Sequence, residues 1–147
     1  MLATLTDNAF DDEQWDFEVK WDGYRTIAFL NKGSIDLQSR NGHSFNKKFY
    51  TIFTSLQAWD VNAVVDGEIV AVDENKMPNF SKLQNWKGSK QGELIYYVFD
   101  ITGLEGYDLT NLPFSERKKI LIAIIPELSD IKSVSYTHLT LPTSDLV

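Results

Sequence analysis

A lysine, an aspartate and an arginine lie close together in the segment Lys20-Trp21-Asp22-Gly23-Tyr24-Arg25. A lysine acts as a nucleophile only as the neutral amine, so a reactive lysine needs burial or a neighbouring cation. Arg25 is a candidate for that cation, and its planar guanidinium also suits a phosphate. Asp22 is a candidate for orienting the ammonium or holding a metal ion. The segment indicates nucleophilic chemistry at Lys20, and a surface hairpin with a Lys–Asp pair is the alternative.

Two more acidic residues interrupt an apolar run at Asp66-Gly67-Glu68. Carboxylates inside an apolar strand are costly unless they are paired or bound to a cation. Side chains alternate along a strand, so Asp66 and Glu68 share one face, and Gly67 permits close backbone approach. A site for Mg²⁺ and a nucleotide explains this pattern. An edge strand with solvated acids is the alternative.

The other candidate residues are an aromatic ring and a second arginine. Phe99 lies in an apolar strand, where it is a candidate for stacking on a base or, alternatively, a core aromatic. Ser39-Arg40-Asn41-Gly42 is typical of a strand-to-turn junction with Arg40 exposed. His43 has no ligand partner at metal-site spacing, so we expect it to face solvent.

Hydrophobic periodicity and turn residues place these candidates on a mixed fold. Apolar and β-branched runs predict strands at about 17–20, 25–30, 34–39, 63–72 and 94–101, and helical spacing predicts helices at about 45–59, 79–86 and 115–125. Asn31-Lys32-Gly33 predicts a hairpin turn, and Ser115 is the expected N-cap of the last helix. Hairpins followed by scattered helices predict an α+β fold with a mainly antiparallel sheet.

The composition excludes several classes of protein. The 147 residues contain no cysteine, which excludes disulfides and Cys-based metal sites, and no apolar run is long enough to span a bilayer. The N-terminus lacks the pattern of a signal peptide, so the expected location is the cytoplasm. The net charge of −7 argues against a nucleic-acid partner. Charge acts only within a Debye length of about 8–10 Å, however, so an acidic chain can carry a local basic groove.

Four segments resemble, in order, motifs I, Ia, III and IIIa of the covalent nucleotidyltransferases. They are Lys20-Trp21-Asp22-Gly23-Tyr24-Arg25, Ser39-Arg40-Asn41-Gly42, Val65-Asp66-Gly67-Glu68-Ile69 and Tyr97-Val98-Phe99-Asp100. The sequences of Met1-Leu2-Ala3 and of the segment 112–118 are similar to those of the ATP-dependent DNA ligases of bacterial end joining. Four motifs in the right order make the resemblance specific, and it covers about residues 1–132.

The resemblance implies an ATP-grasp-like nucleotidyltransferase fold of packed, mainly antiparallel sheets with flanking helices, normally followed by an OB-fold domain. It implies that Lys20 takes AMP from ATP, passes it to a 5′-phosphate at a nick, and that the 3′-hydroxyl then displaces it. The remaining roles that it implies are recognition of adenine by the backbone of Glu18, nucleotide contacts by Arg25 and Arg40, ribose and metal contacts by Glu68, and packing of Phe99 on adenine. Asp22 remains the second candidate for the metal ion.

The same resemblance implies cofactors and partners, and it leaves alternative functions open. The expected cofactors are ATP and Mg²⁺ or Mn²⁺, and the expected partners are nicked or broken duplex DNA and a Ku-type end-binding protein. We expect a monomer without membrane contact, close to the bacterial nucleoid. An RNA ligase, a capping-type nucleotidyltransferase and a non-catalytic nucleotide-binding module are the alternatives.

The segment 133–147 differs from the rest of the sequence. It has no helical pattern and resembles a translated sequencing adapter, so we expect a non-native tail after a partial adenylation domain at 1–132; a natural strand is the alternative. Motifs IV and V of the family, which supply a second metal carboxylate and grip the α-phosphate, would follow residue 132. We therefore expect weak or no ligation by this chain alone.

Overall fold

The computed structural model describes residues 4–8, 12–15, 20–88, 92–126 and 128–134. The chain divides into two compact units, one of Met1–Lys20 with Ser135–Val147 and the other of Trp21–Val134. In the first unit, the N–H of Trp15 donates to the carbonyl of Asp12 at 3.0 Å. Most of the predicted strand at 17–20, including Glu18, lies outside the described residues.

The second unit is built on one six-stranded sheet with three helices among the described residues. Its elements in chain order are β1 (Tyr24–Asn31), β2 (Ser34–Ser39), α1 (Tyr50–Gln57), β3 (Asn62–Val72), α2 (Phe80–Gln84), β4 (Glu93–Leu104), β5 (Tyr107–Asp108), α3 (Phe114–Ile124) and β6 (Ile131–Ser133). The strand order is β2-β1-β3-β4-β5, and β6 pairs with β4 in parallel while all the other pairs are antiparallel. The predicted α+β fold with a mainly antiparallel sheet is confirmed.

The β1–β2 hairpin agrees with the sequence prediction. Lys32 and Gly33 both have positive φ, 44° and 89°, which is the backbone of the tight turn that matches the twist of two antiparallel strands. The turn brings Asn31 opposite Ser34 and sets the register of the whole hairpin.

Two helices begin at residues other than those predicted. The segment before α1 is held by Asn46, whose Oδ1 accepts from the N–H of Leu37 at 2.7 Å and whose Nδ2 donates to the carbonyl of Ile35 at 3.3 Å. These bonds pair the segment with β2, so the helix begins at Tyr50. The prediction of Ser115 as N-cap is wrong, because Pro113 occupies that position and α3 begins at Phe114.

The core lies between one face of the sheet and the helices. Fully buried residues on that face pack against helical leucine and isoleucine side chains, and each such burial contributes about 1.5–3 kcal/mol. The central members are Leu37, Val65, Ile69, Val98 and Ile101 on the strands and Ile52, Leu56, Leu83 and Leu121 on the helices. Among the described residues, no helix has the length and apolar character needed to cross a membrane.

The last strand reaches into the predicted tail. Ser133 ends β6, and the N–H of Val134 donates to the carbonyl of Val98 at 3.0 Å. The rest of that segment lies outside the described residues, and its assignment as a non-native tail stays a prediction.

Candidate functional site

The pairing of β1 with β3 brings two of the candidate segments together. Arg25 lies directly opposite Glu68, and Asp66 lies one step along the same face. The flanking residues of β3 are buried in the main core, whereas Asp66 and Glu68 are half-buried, so this polar face is the one opposite that core. Because β3 lies between β1 and β4, the alternative of an edge strand with solvated acids is wrong.

Arg25 is fixed by a two-bond ion pair with Asp66. Its Nε donates to Oδ1 at 3.2 Å and its Nη2 donates to Oδ2 at 2.6 Å. This hydrogen bonding raises the pKa of Arg25, with smaller contributions from the charges of Glu68 and Asp100. Two-bond pairing holds a guanidinium plane in one orientation, so Arg25 is a positioned cation on this face.

A β-bulge in β4 positions Phe99. Asp66 pairs with Asp100, whereas the next residue, Gly67, pairs with Val98, so Phe99 is the extra residue between them. Such a bulge redirects side chains locally.

The burial pattern shows the effect of this bulge. Val98 and Ile101 both belong to the main core cluster although they are three residues apart, a spacing that in a regular strand points two side chains to opposite faces. Phe99 between them is half-buried and lies outside the core cluster, so it is not the core aromatic of the alternative reading. The guanidinium carbon of Arg25 lies 5.5 Å from the Phe99 ring centroid, a cation–π distance.

Asp100 is bound by Arg117, a residue to which the sequence reasoning gave no role. The Nε and Nη2 of Arg117 donate to the two carboxylate oxygens at 2.8 and 3.1 Å, and its Nη1 donates to the carbonyl of Leu112 at 2.7 Å. Arg117 is only 6% exposed, and the hydrogen bond with Asp100 raises its pKa. The spacing from Arg117 to Leu121, one turn along the buried face of α3, is the signal that identifies it.

The turn before β1 packs directly onto β3. The N–H of Gly23 donates to Oε1 of Glu68 at 3.2 Å. A Cβ at position 23 would lie 2.1 Å from the carbonyl oxygen of Ile69, so only glycine fits there. Asp22-Gly23 of motif I therefore holds the turn against Glu68 of motif III.

Glu68 has an altered acidity as a result of its position. Burial raises the pKa of its carboxyl group, and the charges of Asp22 and Asp66 raise it further. The Gly23 hydrogen bond and the charge of Arg25 act in the opposite direction. A carboxylate that is costly to ionise is a favourable place for a cation or a hydroxyl donor.

A stacked pair of aromatic rings lies on the same face, and the sequence reasoning did not select it. Trp21 and Tyr97 stack with centroids 3.8 Å apart and planes 6° from parallel. Tyr97 lies opposite Glu68, and burial raises the pKa of its phenol. Alternation along the strand is the signal that was available, because Tyr97 lies two residues before Phe99, which was already selected.

The remaining predicted residues lie elsewhere or are exposed. Lys20 is exposed and ends the first unit, and Asp22 is exposed in the turn. Arg40 is exposed in the turn after β2, and among the described residues no hydrogen bond or ion pair joins it to the face that holds Arg25. His43 is exposed, as predicted. Within the same described ranges, no group of three metal-ligating side chains is present.

Comparisons with known proteins agree with the motif pattern. A sequence model described as "ATP dependent DNA ligase domain" matches residues 1–143. The multifunctional non-homologous end joining protein LigD of Mycolicibacterium smegmatis is 39% identical over 127 residues, which cover 84% of this chain and 16% of that protein. LigD of Pseudomonas aeruginosa is 35% identical over 126 residues, which cover 84% of this chain and 15% of that protein.

Solved structures show the same similarity in three dimensions. The mycobacterial DNA ligase D complexed with ATP and MES superposes with a TM-score of 0.72 at 29% identity, covering 82% of this chain and 40% of that one. The chain thus spans about a sixth of the LigD proteins and two fifths of the solved ligase. Because the family model matches nearly the whole sequence, the chain belongs to the ATP-dependent DNA ligase domain family.

Proposed function

We propose that this chain carries out the nucleotide-transfer step of an ATP-dependent DNA ligase, with Lys20 as the residue that receives AMP. The observation that supports this most is the meeting of three residues chosen from sequence, Arg25, Glu68 and Phe99, at one place on the polar face of the sheet. The fold is that of a family with a solved member described as complexed with ATP and MES.

The proposed first step forms one bond and breaks one. The neutral amine of Lys20 attacks the α-phosphorus of ATP, a nitrogen–phosphorus bond forms, the bond to the β-phosphate oxygen breaks and pyrophosphate leaves. The amine loses a proton to solvent. AMP then moves to the 5′-phosphate of a DNA nick, and the 3′-hydroxyl displaces it. Such transfers depend mainly on positioning and charge neutralisation.

The chain's own residues supply both contributions. Arg25 is held by Asp66 and lies against Phe99, and it retains guanidinium donors that Asp66 does not use, so it suits a phosphate oxygen. Glu68 when ionised is a hydrogen-bond acceptor suited to ribose hydroxyls. The ring of Phe99 is half-buried beside these groups and suits stacking on adenine.

A divalent cation fits the acids near Gly23. Mg²⁺ in nucleotide sites is commonly bound by one or two carboxylates together with phosphate oxygens, and Asp22 and Glu68 provide such a pair. Their charges interact, and one oxygen of Glu68 is already positioned by Gly23. We propose that these two residues hold Mg²⁺ or Mn²⁺, which would neutralise charge on the phosphates.

Intact-mass measurement after incubation with ATP and Mg²⁺ tests the proposal. We expect one AMP adduct on the wild type, its loss in Lys20→Ala, and its retention in Lys119→Ala, which removes another exposed lysine. An adduct that persists in Lys20→Ala would overturn the assignment of Lys20. Reversible ATP binding without any adduct would favour the non-catalytic nucleotide-binding module.

The DNA substrate, the cellular location and the protein partner are part of the same proposal. We propose that the substrate is nicked or broken duplex DNA in end-joining repair in the bacterial cytoplasm, with a Ku-type end-binding partner and a monomeric ligase. Comparing lysyl-AMP with lysyl-GMP formation separates the ligase from a capping enzyme, and comparing DNA with RNA nicks separates it from an RNA ligase. We expect weak or no sealing by this chain alone, and robust sealing would contradict that expectation.

A further inference from the structure

Two stacked rings hold the residue that follows Lys20. Trp21 is bonded directly to Lys20, and its ring lies on that of Tyr97 with centroids 3.8 Å apart and planes 6° from parallel. Both rings pack against a second cluster of buried apolar side chains, which is separate from the main core. Its members are Val70, Val72 and Ile95. Because burial of apolar surface favours this packing, the Trp21 ring is held on the sheet.

The second cluster lies on the face of the sheet that carries the candidate site. Along β3, Val70 and Val72 follow Glu68 in steps of two, so the three side chains share one face. On β4, Ile95 and Tyr97 are likewise two residues apart. The stack therefore lies on the same face as Glu68, where polar side chains give way to apolar ones.

One pair of opposite residues in the sheet holds both ends of the turn after Lys20. Tyr97 lies opposite Glu68 in the pairing of β4 with β3. The ring of Tyr97 stacks on Trp21, while the carboxylate of Glu68 accepts from the N–H of Gly23 at 3.2 Å. Trp21 and Gly23 are only two residues apart, so the backbone between these two contacts has little freedom to shift.

Hydrogen bonding does not explain why a tryptophan occupies position 21. Its indole N–H is buried and has no acceptor among the residues that the structure describes. An unpaired buried donor costs free energy, which a phenylalanine at the same position would not lose. The contribution of Trp21 therefore lies in its ring, which covers the second cluster and stacks on Tyr97.

We propose that the Trp21–Tyr97 stack positions the amine of Lys20 for its attack on the α-phosphorus of ATP, with Tyr97 as a positioning residue that acts through Trp21. This inference rests on the proposed function of Lys20. A lysine side chain is flexible, so the protein can restrict it only by fixing the backbone from which it extends. Consecutive Cα atoms are about 3.8 Å apart, so fixing Trp21 restricts the Cα of Lys20. A misplacement of about 1 Å in a reacting group lowers a rate by about 10²-fold.

The rate of AMP-adduct formation, followed by intact mass at a series of ATP concentrations, tests the proposal. Tyr97→Leu removes the stacked ring, and Tyr97→Phe keeps the ring without its hydroxyl. We expect the maximal rate of Tyr97→Leu to fall about tenfold or more, and that of Tyr97→Phe to stay within about threefold of the wild type. The ATP concentration that gives half the maximal rate should change by less than about twofold in both, because ATP binding is not affected.

Tyr50→Leu is the matched control. Tyr50 is exposed on α1, where its ring stacks on Phe53 with centroids 6.0 Å apart. We expect this variant to keep the rate and the ATP dependence of the wild type. A loss as large as that of Tyr97→Leu would overturn the proposal, because any lost stack would then have the same effect.

A second pair of variants tests whether Tyr97 acts through Trp21. Trp21→Leu should lower the maximal rate as Tyr97→Leu does. The double variant should be no slower than the slower single variant, because both substitutions remove one contact. Losses that multiply in the double variant would overturn the coupling. The final fraction of protein that carries AMP should equal that of the wild type in every variant, whereas a fall in this fraction at an unchanged rate would show loss of folded protein instead of loss of position.

The remaining results overturn the proposal in distinguishable ways. A normal maximal rate in Tyr97→Leu overturns this inference alone. A raised half-saturating ATP concentration at an unchanged maximal rate would show that Tyr97 contacts the nucleotide and does not position Lys20. Absence of an adduct in the wild type overturns the proposed function and this inference with it.

Discussion

Arg25 and Asp66 form their two-bond ion pair diagonally across β1 and β3, although the residue directly opposite Arg25 is Glu68. Diagonal neighbours in an antiparallel pair lie within reach of long side chains. The arrangement separates the two acids of the Asp-Gly-Glu segment by role. Asp66 orients the arginine, while Glu68 keeps its carboxylate for the Gly23 turn and for a ligand.

The first prediction concerns Asp66→Asn. The amide keeps the size of the side chain but removes the charge that holds Arg25, so we expect AMP-adduct formation to slow about tenfold or more. Because Arg25 is partly exposed, the free energy of unfolding should fall by only about 1 kcal/mol. Adduct mass against time and urea unfolding measure the two effects.

Asp36→Asn is the matched control for that variant. Asp36 lies on β2, and its carboxylate accepts from the amide of Gln38. We expect its adduct rate to equal that of the wild type. A normal rate in Asp66→Asn would show that Arg25 does not need its partner.

The second prediction concerns Arg117→Met. Removing the guanidinium leaves Asp100 nearly buried without its cation, and loss of one partner of a buried pair costs about 3–5 kcal/mol. Urea unfolding measures this loss. Lys119→Met removes an exposed partner of Glu116 in the same helix and should change the free energy of unfolding by less than about 1 kcal/mol. Similar values for the two variants would contradict a special role for Arg117.

The third prediction is a pH dependence from Glu68. Its folded-state pKa is raised above the ordinary value of 4.5, chiefly by burial, so the folded protein disfavours the ionised carboxyl. This contribution to stability is complete below about pH 4.5 and is lost as the pH rises through the folded pKa. The free energy of unfolding of the wild type should therefore fall relative to Glu68→Gln across that window.

Urea unfolding of both proteins from about pH 4 to about pH 7 measures the difference. Glu74→Gln, at an exposed position, serves as the control and should show no such trend relative to the wild type. A difference between wild type and Glu68→Gln that stays constant, or grows in favour of the wild type as the pH rises, would contradict the prediction.

The sequence predicted the elements whose signals are local. The Asn31-Lys32-Gly33 turn has a glycine at its φ of 89°, and the strand on each side followed with nearly correct bounds. Alternation along β3 likewise placed Asp66 and Glu68 on one face. In each case neighbouring residues alone determine the outcome.

Features that depend on distant residues were not predictable in the same way. The bulge at Phe99 arises from a register shift between β3 and β4, and the sequence of β4 alone does not predict that shift. The Arg117–Asp100 pair joins a helix to a strand 17 positions earlier in the chain. The segment before α1 has helical spacing, yet it pairs with β2 through Asn46, a tertiary contact that outweighs local propensity.

The last prediction concerns Gly67, where β3 and β4 approach closely. A Cβ there would lie 2.4 Å from the carbonyl oxygen of Tyr97 and 2.7 Å from the ring of Tyr96. That ring cannot turn away easily, because it is fully buried and its hydroxyl donates to the carbonyl of Thr26 at 2.8 Å. We therefore expect Gly67→Ala to lower the free energy of unfolding by about 1–3 kcal/mol, or more if the strands must separate. Gly103→Ala is the matched change on β4, where the nearest atom would be 3.4 Å from the new methyl, and it should alter stability by less than about 1 kcal/mol. Urea unfolding of the two variants gives the comparison, and equal stabilities would show that the close approach at Gly67 can relax without cost.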